Sequence, residues 1–309
     1  MRLVTSSGDA ALSAWCREHL GSGAARVFFE ASSMSRVRGV LLEDGRRIAV
    51  KEREASGRVL ACARAQRAAA TAGIDCPALL LGPVGLAPGT WVTVEEWRED
   101  GSPELPPAAP ERYAALLRCL VVALADAEPE AFAPPPPWAW YDHDAAGRTW
   151  PPAASDRWDP HRAGAVPPEL VRLAAAARER LLADTPPPVV GHSDLNGLNV
   201  RWRPDGSPIV HDWDSLAARP ECVLAGILAA NHVERPGAGA IASLPVTGRL
   251  LDHYEERRPF SDVERELAWA AGVAVASYNA AFEYLHGQPG PVARRLASDG
   301  AERLRRAGL

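Results

Sequence analysis

The sequence has almost no lysine: among its 34 basic residues only Lys51 is a lysine, and all the others are arginines. A lysine ammonium is a compact point charge, whereas an arginine guanidinium is a planar fork, so some sites accept only the first. A chain that uses arginine wherever either cation would serve marks its remaining lysine as a candidate functional residue. The alternative interpretation is that Lys51 persists by chance on a solvated strand.

Other absences exclude whole classes of protein. The five cysteines lie far apart, form no C-x-x-C pair and are odd in number, which favours reduced thiols over a disulfide framework. No stretch reaches the roughly 18 uncharged apolar residues of a membrane span, and charges interrupt residues 1–20, which predicts no signal peptide. The net charge of -5 provides no basic footprint for nucleic acid or for an anionic membrane. We therefore expect a cytoplasmic protein without nucleic-acid or membrane partners.

With 309 residues, 47% of them apolar, the chain is long enough for two lobes. Up to about residue 97 the pattern predicts a short helix, three strands with a tight turn at Asp44 and Gly45, a second helix and a further strand. Lys51 falls on the third of these strands. In chain order the predicted elements are 11–20, 26–30, 36–43, 46–53, 56–72 and 91–97.

From residue 98 a proline-rich connection leads into a mostly helical part. The clearest predicted helices are 111–126, 169–182 and 261–285. A stretch around residues 130–165, rich in proline and tryptophan, predicts an irregular insert, because such a long excursion is usually functional or packed. Two short strands, 200–203 and 209–212, predict a hairpin.

Residues that can carry chemistry lie on both sides of this hairpin. Residues 192–199 read His-Ser-Asp-Leu-Asn-Gly-Leu-Asn, and residues 212–214 read Asp-Trp-Asp. Phosphoryl transfer from ATP requires charge neutralisation, a metal ion that bridges phosphate oxygens, and an oriented nucleophile. Asp194 can orient a hydroxyl, while Asn199 and Asp212 supply the oxygen ligands that Mg²⁺ prefers.

This ordered set resembles the aminoglycoside phosphotransferase and choline kinase superfamily, which carries a His-x-Asp catalytic loop and a later metal-binding Asp motif. The resemblance is strong over residues 189–216, fair over 26–97 and slight elsewhere. It implies an α+β, two-lobed protein-kinase-like fold, with a small β-rich N-terminal lobe (1–97) and a larger helical C-terminal lobe (98–309). It also implies ATP and Mg²⁺ as cofactors.

The resemblance assigns roles to individual residues. Asp194 would be the catalytic residue. His192 is either a buried hydrogen-bonding brace for its loop or a base, and we expect the brace. Lys51 would contact the α- and β-phosphates, the loop 30–35 would cover them, and residues 95–97 would form the hinge that binds adenine. The expected nucleotide-binding residues are Lys51, Ser33, Met34, Ser35, Glu95, Glu96 and Trp97, and the expected metal ligands are Asn199, Asp212 and Asp214.

Three points in this assignment stay open. The family usually pairs the lysine with a glutamate of the next helix, yet residues 55–74 contain no carboxylate. The phosphate loop contains no glycine, so it is either a serine-lined nest of backbone N–H groups or an ordinary turn. Asp214 either lies near the metal or only holds the loop. For the first of these points, the residues that could take the place of the glutamate beside Lys51 are Gln66, Cys62, Glu52 and Glu54.

These observations predict an ATP-dependent phosphotransferase that moves the γ-phosphate to a hydroxyl of a small molecule, such as an antibiotic or another secondary metabolite. The alternatives are a kinase of a primary metabolite (an amino alcohol, amino acid or sugar) and a catalytically silent nucleotide-binding protein. Residues 98–160 hold eleven acids against five arginines, with four tryptophans. This stretch predicts either a site for a cationic acceptor or a solvated acidic surface with packed tryptophans. The sequence leaves the oligomeric state open.

Overall fold

The computed structural model describes residues 7–32, 35–153, 159–162, 164–237, 239–287 and 289–309. The chain forms two compact units, Met1–Asp100 and Gly101–Leu309. The first unit thus ends at Asp100, whereas the sequence predicted that the N-terminal lobe ends at Trp97. No helix within the described ranges has both the length and the apolar character needed to cross a membrane.

The described part of the N-terminal unit contains two helices and five strands. In chain order these are α1 (Ser7–Leu20), β1 (Ala24–Ser32), β2 (Arg36–Leu42), β3 (Arg47–Glu54), α2 (Gly57–Thr71), β4 (Leu79–Ala87) and β5 (Thr90–Glu96). The strands form one antiparallel sheet in the order β1-β2-β3-β5-β4. All of these elements were predicted except β4.

The sequence pattern missed β4 because Gly82, Pro83 and Gly85 interrupt its apolar residues. Proline cannot donate a ladder hydrogen bond, so a strand of this composition is tolerated only at the edge of a sheet or at bulges. The strand β4 does lie at the edge of the sheet, and its pairing with β5 contains three register shifts.

Side chains alternate between the two faces of this sheet. Ile48 and Val50 of β3, with Val92 and Val94 of β5, are buried on one face in a core that includes residues of α1. The residues between them point to the other face. Lys51, which follows Val50, therefore lies on the face opposite this core.

The C-terminal unit is mostly helical, with two small sheets. Its elements are α3 (Ala109–Ala123), α4 (Pro168–Ala183), β6 (Pro188–His192), β7 (Val200–Trp202), β8 (Pro208–Val210), β9 (Leu216–Pro220), α5 (Glu221–Asn231), α6 (Leu244–Glu255), α7 (Asp262–Leu285) and α8 (Pro291–Arg306). Strand β6 pairs with β9, and β7 pairs with β8, both antiparallel. The three predicted helices and the predicted hairpin are all present.

The proline- and tryptophan-rich insert packs against this helical unit. Its described part includes the 3-10 turns Pro129–Phe132 and Pro137–Ala139. Trp150 is buried in a core built with residues of α4, α7 and α8. At least this tryptophan is therefore a packing residue, as the second interpretation of the insert expected.

Helices α5 and α7 pack closely at the centre of the C-terminal unit, and α5 is buried along its whole length. A Cβ atom added at Gly226 would collide with the carbonyl oxygen of Ala268. The absence of a side chain at Gly226 is therefore what allows the two helix backbones to approach each other.

We expect Gly226→Ala to lower the free energy of unfolding by about 1 to 3 kcal/mol, because the backbone of α7 would have to move. Gly248, inside α6, is the matched control: an added Cβ would meet only a guanidinium nitrogen of Arg306, at 4.0 Å. Gly248→Ala should therefore stabilise the protein, by about 0.5 to 1 kcal/mol. Urea denaturation of both variants measures the difference, and equal midpoints would contradict the close packing.

Candidate active site

The predicted catalytic loop begins where β6 ends. Ser193, the next residue, donates its N–H and its hydroxyl to the carbonyl oxygen of Ser215, at 2.9 and 2.7 Å. The indole N–H of Trp138, from the insert, lies 3.2 Å from the Ser193 carbonyl oxygen and 3.0 Å from its hydroxyl. Ser193 thus ties the start of the loop to the segment before β9 and to the insert.

His192 braces this loop, as predicted, and is 1% exposed. Its Nδ1 accepts the backbone N–H of Asp194 at 3.1 Å. Its Nε2 lies 3.0 Å from the carbonyl oxygen of His211, to which it donates. This pair of contacts requires a neutral ring with its proton on Nε2.

The carboxylate of Asp194 is held by two amide side chains. Asn199 donates Nδ2 to Oδ2 of Asp194 at 2.7 Å and to its backbone carbonyl oxygen at 2.9 Å. Asn196 donates Nδ2 to Oδ1 at 2.9 Å. The Oδ1 atom of Asn196 in turn accepts the N–H of Leu198 at 2.9 Å. Each oxygen of the carboxylate therefore has a fixed donor, which orients the side chain.

The hairpin formed by β7 and β8 brings Asp212 to this loop. Asn199 precedes β7, and its carbonyl oxygen accepts the N–H of His211, which follows β8, at 2.7 Å. Asp212 takes a left-handed backbone conformation (φ 56, ψ 59), which is uncommon for a residue other than glycine. Ser215 donates its N–H to the Asp212 carbonyl oxygen at 3.0 Å and its hydroxyl to Oδ2 at 2.8 Å. Strain of this kind persists where surrounding contacts enforce it, often at functional sites.

Negative charge is concentrated around the loop. The pKa of Asp194 is raised to about 8, first by burial and then by the charges of Glu234 and Asp212, while the two amide hydrogen bonds oppose the shift. The pKa of Glu234 is also raised, by burial and then by the charge of Glu283. A carboxyl group with such a shifted pKa is a candidate for a functional site. The negative charge of the neighbouring carboxylates would also attract a cation.

The raised pKa of Asp194 predicts a specific pH dependence of stability in metal-free, nucleotide-free protein. Because the folded state binds a proton that the unfolded state has lost, stability should fall as the pH rises from about 4 through about 8. Asp194→Asn removes this effect, so we expect the variant to match the wild type near pH 4 and to melt at a higher temperature at pH 8.

Thermal melting from pH 4 to pH 9 in a chelator measures this difference. Asp205→Asn, in the turn between β7 and β8, is the control, because that carboxyl is exposed and hydrogen bonds from Ser207 lower its pKa. The prediction would be contradicted if the melting temperatures of Asp194→Asn and the wild type differed by the same amount at every pH from 4 to 9.

Sequence reasoning missed several residues of this site. Asn196 lies inside the motif and could have been noticed there as a side chain near Asp194. No sequence signal points to Glu234, whose carbonyl oxygen accepts the N–H of Gly197 at 2.7 Å and whose Oε2 lies 3.5 Å from Nδ2 of Asn196. Trp138 is equally remote, because only the packing of the insert brings it to the loop.

In the N-terminal unit the structure identifies an ion-pair partner of the lone lysine. The Nζ atom of Lys51 lies 2.9 Å from Oε2 of Glu95, and the side chains are 8% and 4% exposed. The four neighbours considered from the sequence do not include this residue. Gln66 donates instead to the carbonyl oxygen of Pro77 at 3.0 Å, and Glu52 pairs with Arg38.

The remaining predicted nucleotide-binding residues lie around the same sheet. Ser35 is buried just before β2, and Glu96 is exposed at the end of β5. The Trp97 ring packs edge-on against Phe28, with centroids 4.9 Å apart. Ser33 and Met34 lie outside the described residues.

The residues around Asp194 suit a hard divalent cation. Asn199 donates its Nδ2 atom to Asp194. Its amide oxygen is therefore the atom of this side chain that could bind a metal. Asp212 adds a carboxylate, and Asp214 lies half-buried in the 3-10 turn Trp213–Ser215. Within the described ranges no three His, Cys, Asp or Glu side chains form a metal site by themselves. A cation here would therefore complete its shell with phosphate oxygens or water.

A shallow recess of about 20 Å³ lies beside the loop on the side of the insert. Arg178 of α4 lines it and donates Nη2 to the carbonyl oxygen of His143 at 2.8 Å. Half of the other lining residues are aromatic: Trp138, Trp140, Tyr141, Trp150 and Tyr278. Since Trp138 also contacts Ser193, the recess adjoins the predicted catalytic loop.

Acidic residues of the insert are partly neutralised by arginine. Asp142 lies 2.6 Å from Arg219, and Asp159 lies 3.0 Å from Arg148. Carboxylates with such partners attract an external cation less strongly. This pairing favours the interpretation of the insert as an acidic surface with packed tryptophans.

No family model and no curated protein matches the amino-acid sequence. The structure is nevertheless similar to solved structures of small-molecule kinases. An amicoumacin kinase solved with AMP-PNP and Ca²⁺ covers 91% of this chain and 86% of its own length, at 14% identity and a TM-score of 0.60. A spectinomycin phosphotransferase solved with ADP and spectinomycin covers 96% and 98%, at 11% identity and a TM-score of 0.58.

The chain has the two-lobed, protein-kinase-like fold. A fructosamine-3-kinase-type protein of Thermobifida fusca shares it as well, at 21% identity, 96% and 98% coverage and a TM-score of 0.53. In the terms of the kinase-like fold, the N-terminal unit is the β-rich lobe and the C-terminal unit is the helical lobe. At identities of 11 to 21% the likeness establishes the fold and confirms the expected architecture. It does not transfer a substrate.

Proposed function

We propose that the protein is an ATP-dependent phosphotransferase that moves the γ-phosphate of ATP to a hydroxyl group of a small molecule. One observation carries the proposal: Asp194, Asn199 and Asp212 are held together in the helical lobe of a protein-kinase-like fold. Asn199 binds the carboxylate of Asp194 directly, and Asp212 is close enough to raise its pKa. Protein kinases use these residue types in such proximity for phosphoryl transfer.

In this proposal Asp194 is the catalytic residue. It orients the acceptor hydroxyl and takes its proton as the oxygen attacks the γ-phosphorus atom. The bond from that phosphorus to the β,γ-bridging oxygen breaks, and ADP leaves. A pKa of about 8 in the ligand-free protein places the carboxyl near the range in which a general base operates best.

Asn199, Asp212 and Asp214 are proposed to hold Mg²⁺, which when bound neutralises charge on the phosphate oxygens. Lys51 is proposed to bind the α- and β-phosphates. The serine-rich loop before β2 and the backbone of residues 95–97 are proposed to bind the rest of the nucleotide. Support for these roles comes from the burial of Lys51 and the oxygen chemistry of the three ligands.

The acceptor is proposed to be a hydroxylated antibiotic or another secondary metabolite. The recess beside Ser193 has room for little more than one water molecule, so it does not indicate the shape of the acceptor. The paired carboxylates of the insert give no support to a polycationic acceptor. A kinase of a primary metabolite is the alternative within the same reaction class.

A catalytically silent nucleotide-binding protein is the alternative from another class. The absence of a helix glutamate is a reason to consider it, and the ion pair of Lys51 with Glu95 weakens that reason by supplying another carboxylate. A silent protein also has no need for an oriented Asp194 or a strained Asp212.

The test is a screen for ATP consumption over hydroxylated antibiotics, amino alcohols, amino acids and sugars, with mass detection of a product that gains one phosphate. We expect a phosphorylated product from the antibiotic set and growth protection of a sensitive host against the same compound. Binding of AMP-PNP without transfer to any member of the panel would favour the silent protein instead.

A further inference from the structure

We infer that Glu95 positions Lys51 for the nucleotide phosphates, in the role that a carboxylate on the following helix usually fills. The inference rests on the proposed function, because it presupposes that Lys51 binds nucleotide. It assigns to the side chain of Glu95 a task separate from the backbone contacts expected of residues 95–97.

The register of the sheet places the two side chains together. In the antiparallel pairing of β3 with β5, Lys51 is opposite Thr93 and Ala49 is opposite Glu95. Residues two apart on a strand share a face, so Lys51 and Glu95 are diagonal neighbours on one face of the sheet. This geometry brings Nζ and Oε2 to 2.9 Å.

Burial makes the contact informative. Both side chains are less than a tenth exposed, and removing two charges from water costs several kcal/mol per ion unless the partner and further hydrogen bonds offset it. Replacement of a buried ion pair by apolar residues is often neutral or stabilising. The pair is therefore poorly explained by stability, and the absence of any other lysine points to a use of the ammonium itself.

Helix α2 does not offer a substitute carboxylate. Its sequence, Gly57–Thr71, contains no Asp or Glu, and Gln66 is engaged with Pro77. Because Lys51 and Glu95 lie on adjacent strands of one sheet, the position of the ammonium depends on the register of β3 and β5.

Titration calorimetry with AMP-PNP and Mg²⁺ tests the inference. We expect Glu95→Gln to weaken nucleotide binding by about tenfold, since a contact with a charged group is worth about 1.5 kcal/mol or more. Glu95→Asp should recover part of the affinity. In the Lys51→Ala background, Glu95→Gln should cause no further loss, because a positioning residue has no effect once its partner is gone.

Glu52→Gln is the matched control, because Glu52 is the adjacent residue of β3 and forms an ion pair with the buried Arg38. It should change the melting temperature without changing nucleotide affinity. Should Glu95→Gln fail to fold, Glu95→Asp still tests the inference, with an expected loss of a few-fold. Two results would overturn the inference. One is that Glu95→Gln lowers nucleotide affinity by the same factor in the wild type and in the Lys51→Ala background, and the other is that a folded Glu95→Gln variant binds nucleotide with full affinity. Failure of the wild type to bind AMP-PNP would instead sink the proposed function.

Discussion

Asp194→Ala is expected to reduce phosphoryl transfer by about a thousandfold while leaving nucleotide affinity within about twofold of the wild type. General-base catalysis and hydroxyl orientation together contribute on the order of a hundredfold to ten-thousandfold. Nucleotide affinity should persist because the proposed phosphate-binding lysine belongs to the other lobe. Single-turnover kinetics with the acceptor found in the screen measure the first quantity, and calorimetry with AMP-PNP measures the second.

Asp194→Asn and Asp205→Ala complete this experiment. Asn keeps the shape of the side chain but cannot take a proton, so it should be as inactive as Ala. Asp205 lies exposed in the β7–β8 turn, and its replacement should leave turnover unchanged. Undiminished turnover in either Asp194 variant would show that this residue is not the base and that the catalytic assignment is wrong.

Lys51→Ala is expected to weaken nucleotide binding by about tenfold or more and to lower kcat/KM by a larger factor. The variant loses a charge-assisted contact to phosphate and leaves the carboxylate of Glu95 buried without its partner, which adds a desolvation cost. Calorimetry with AMP-PNP and steady-state kinetics with varied ATP measure the two effects.

Lys51→Arg tests the compositional argument directly. Arginine is the cation that this chain uses everywhere else, yet a planar fork does not fit a buried site shaped for a point charge. We expect Lys51→Arg to recover little of the lost affinity. Arg64→Ala, exposed on α2, should bind nucleotide like the wild type. Full activity of Lys51→Arg would mean that the lone lysine persists by chance.

Local patterns predicted most of the elements that carry the site. The turn at Asp44 and Gly45, the strand of Lys51 and the hairpin after residue 199 are short-range features, because strand alternation and turn residues act over a few positions. The strand β4 was missed for the same reason. Its glycines and proline remove the local signal, and only pairing with β5 makes it a strand.

The partner of Lys51 illustrates where local reasoning fails. The sequence directed attention to residues 52–66, which lie close along the chain. Glu95 is remote in sequence and meets Lys51 through the register of two strands. The same limit applies to Glu234 and Trp138, which reach the catalytic loop through the packing of helices and of the insert.

The sequence by itself determined the motif residues, the isolation of the single lysine and the division into a β-rich and a helical part, because these depend on residue type and short spacing. The tertiary structure decided which charges meet: Glu95 with Lys51, and Glu234 and Asp212 with Asp194. The physical reason is that electrostatic energy depends on distance and burial in space, which residue spacing does not contain. The lone lysine is thus a sequence observation, and its ion pair is a property of the fold.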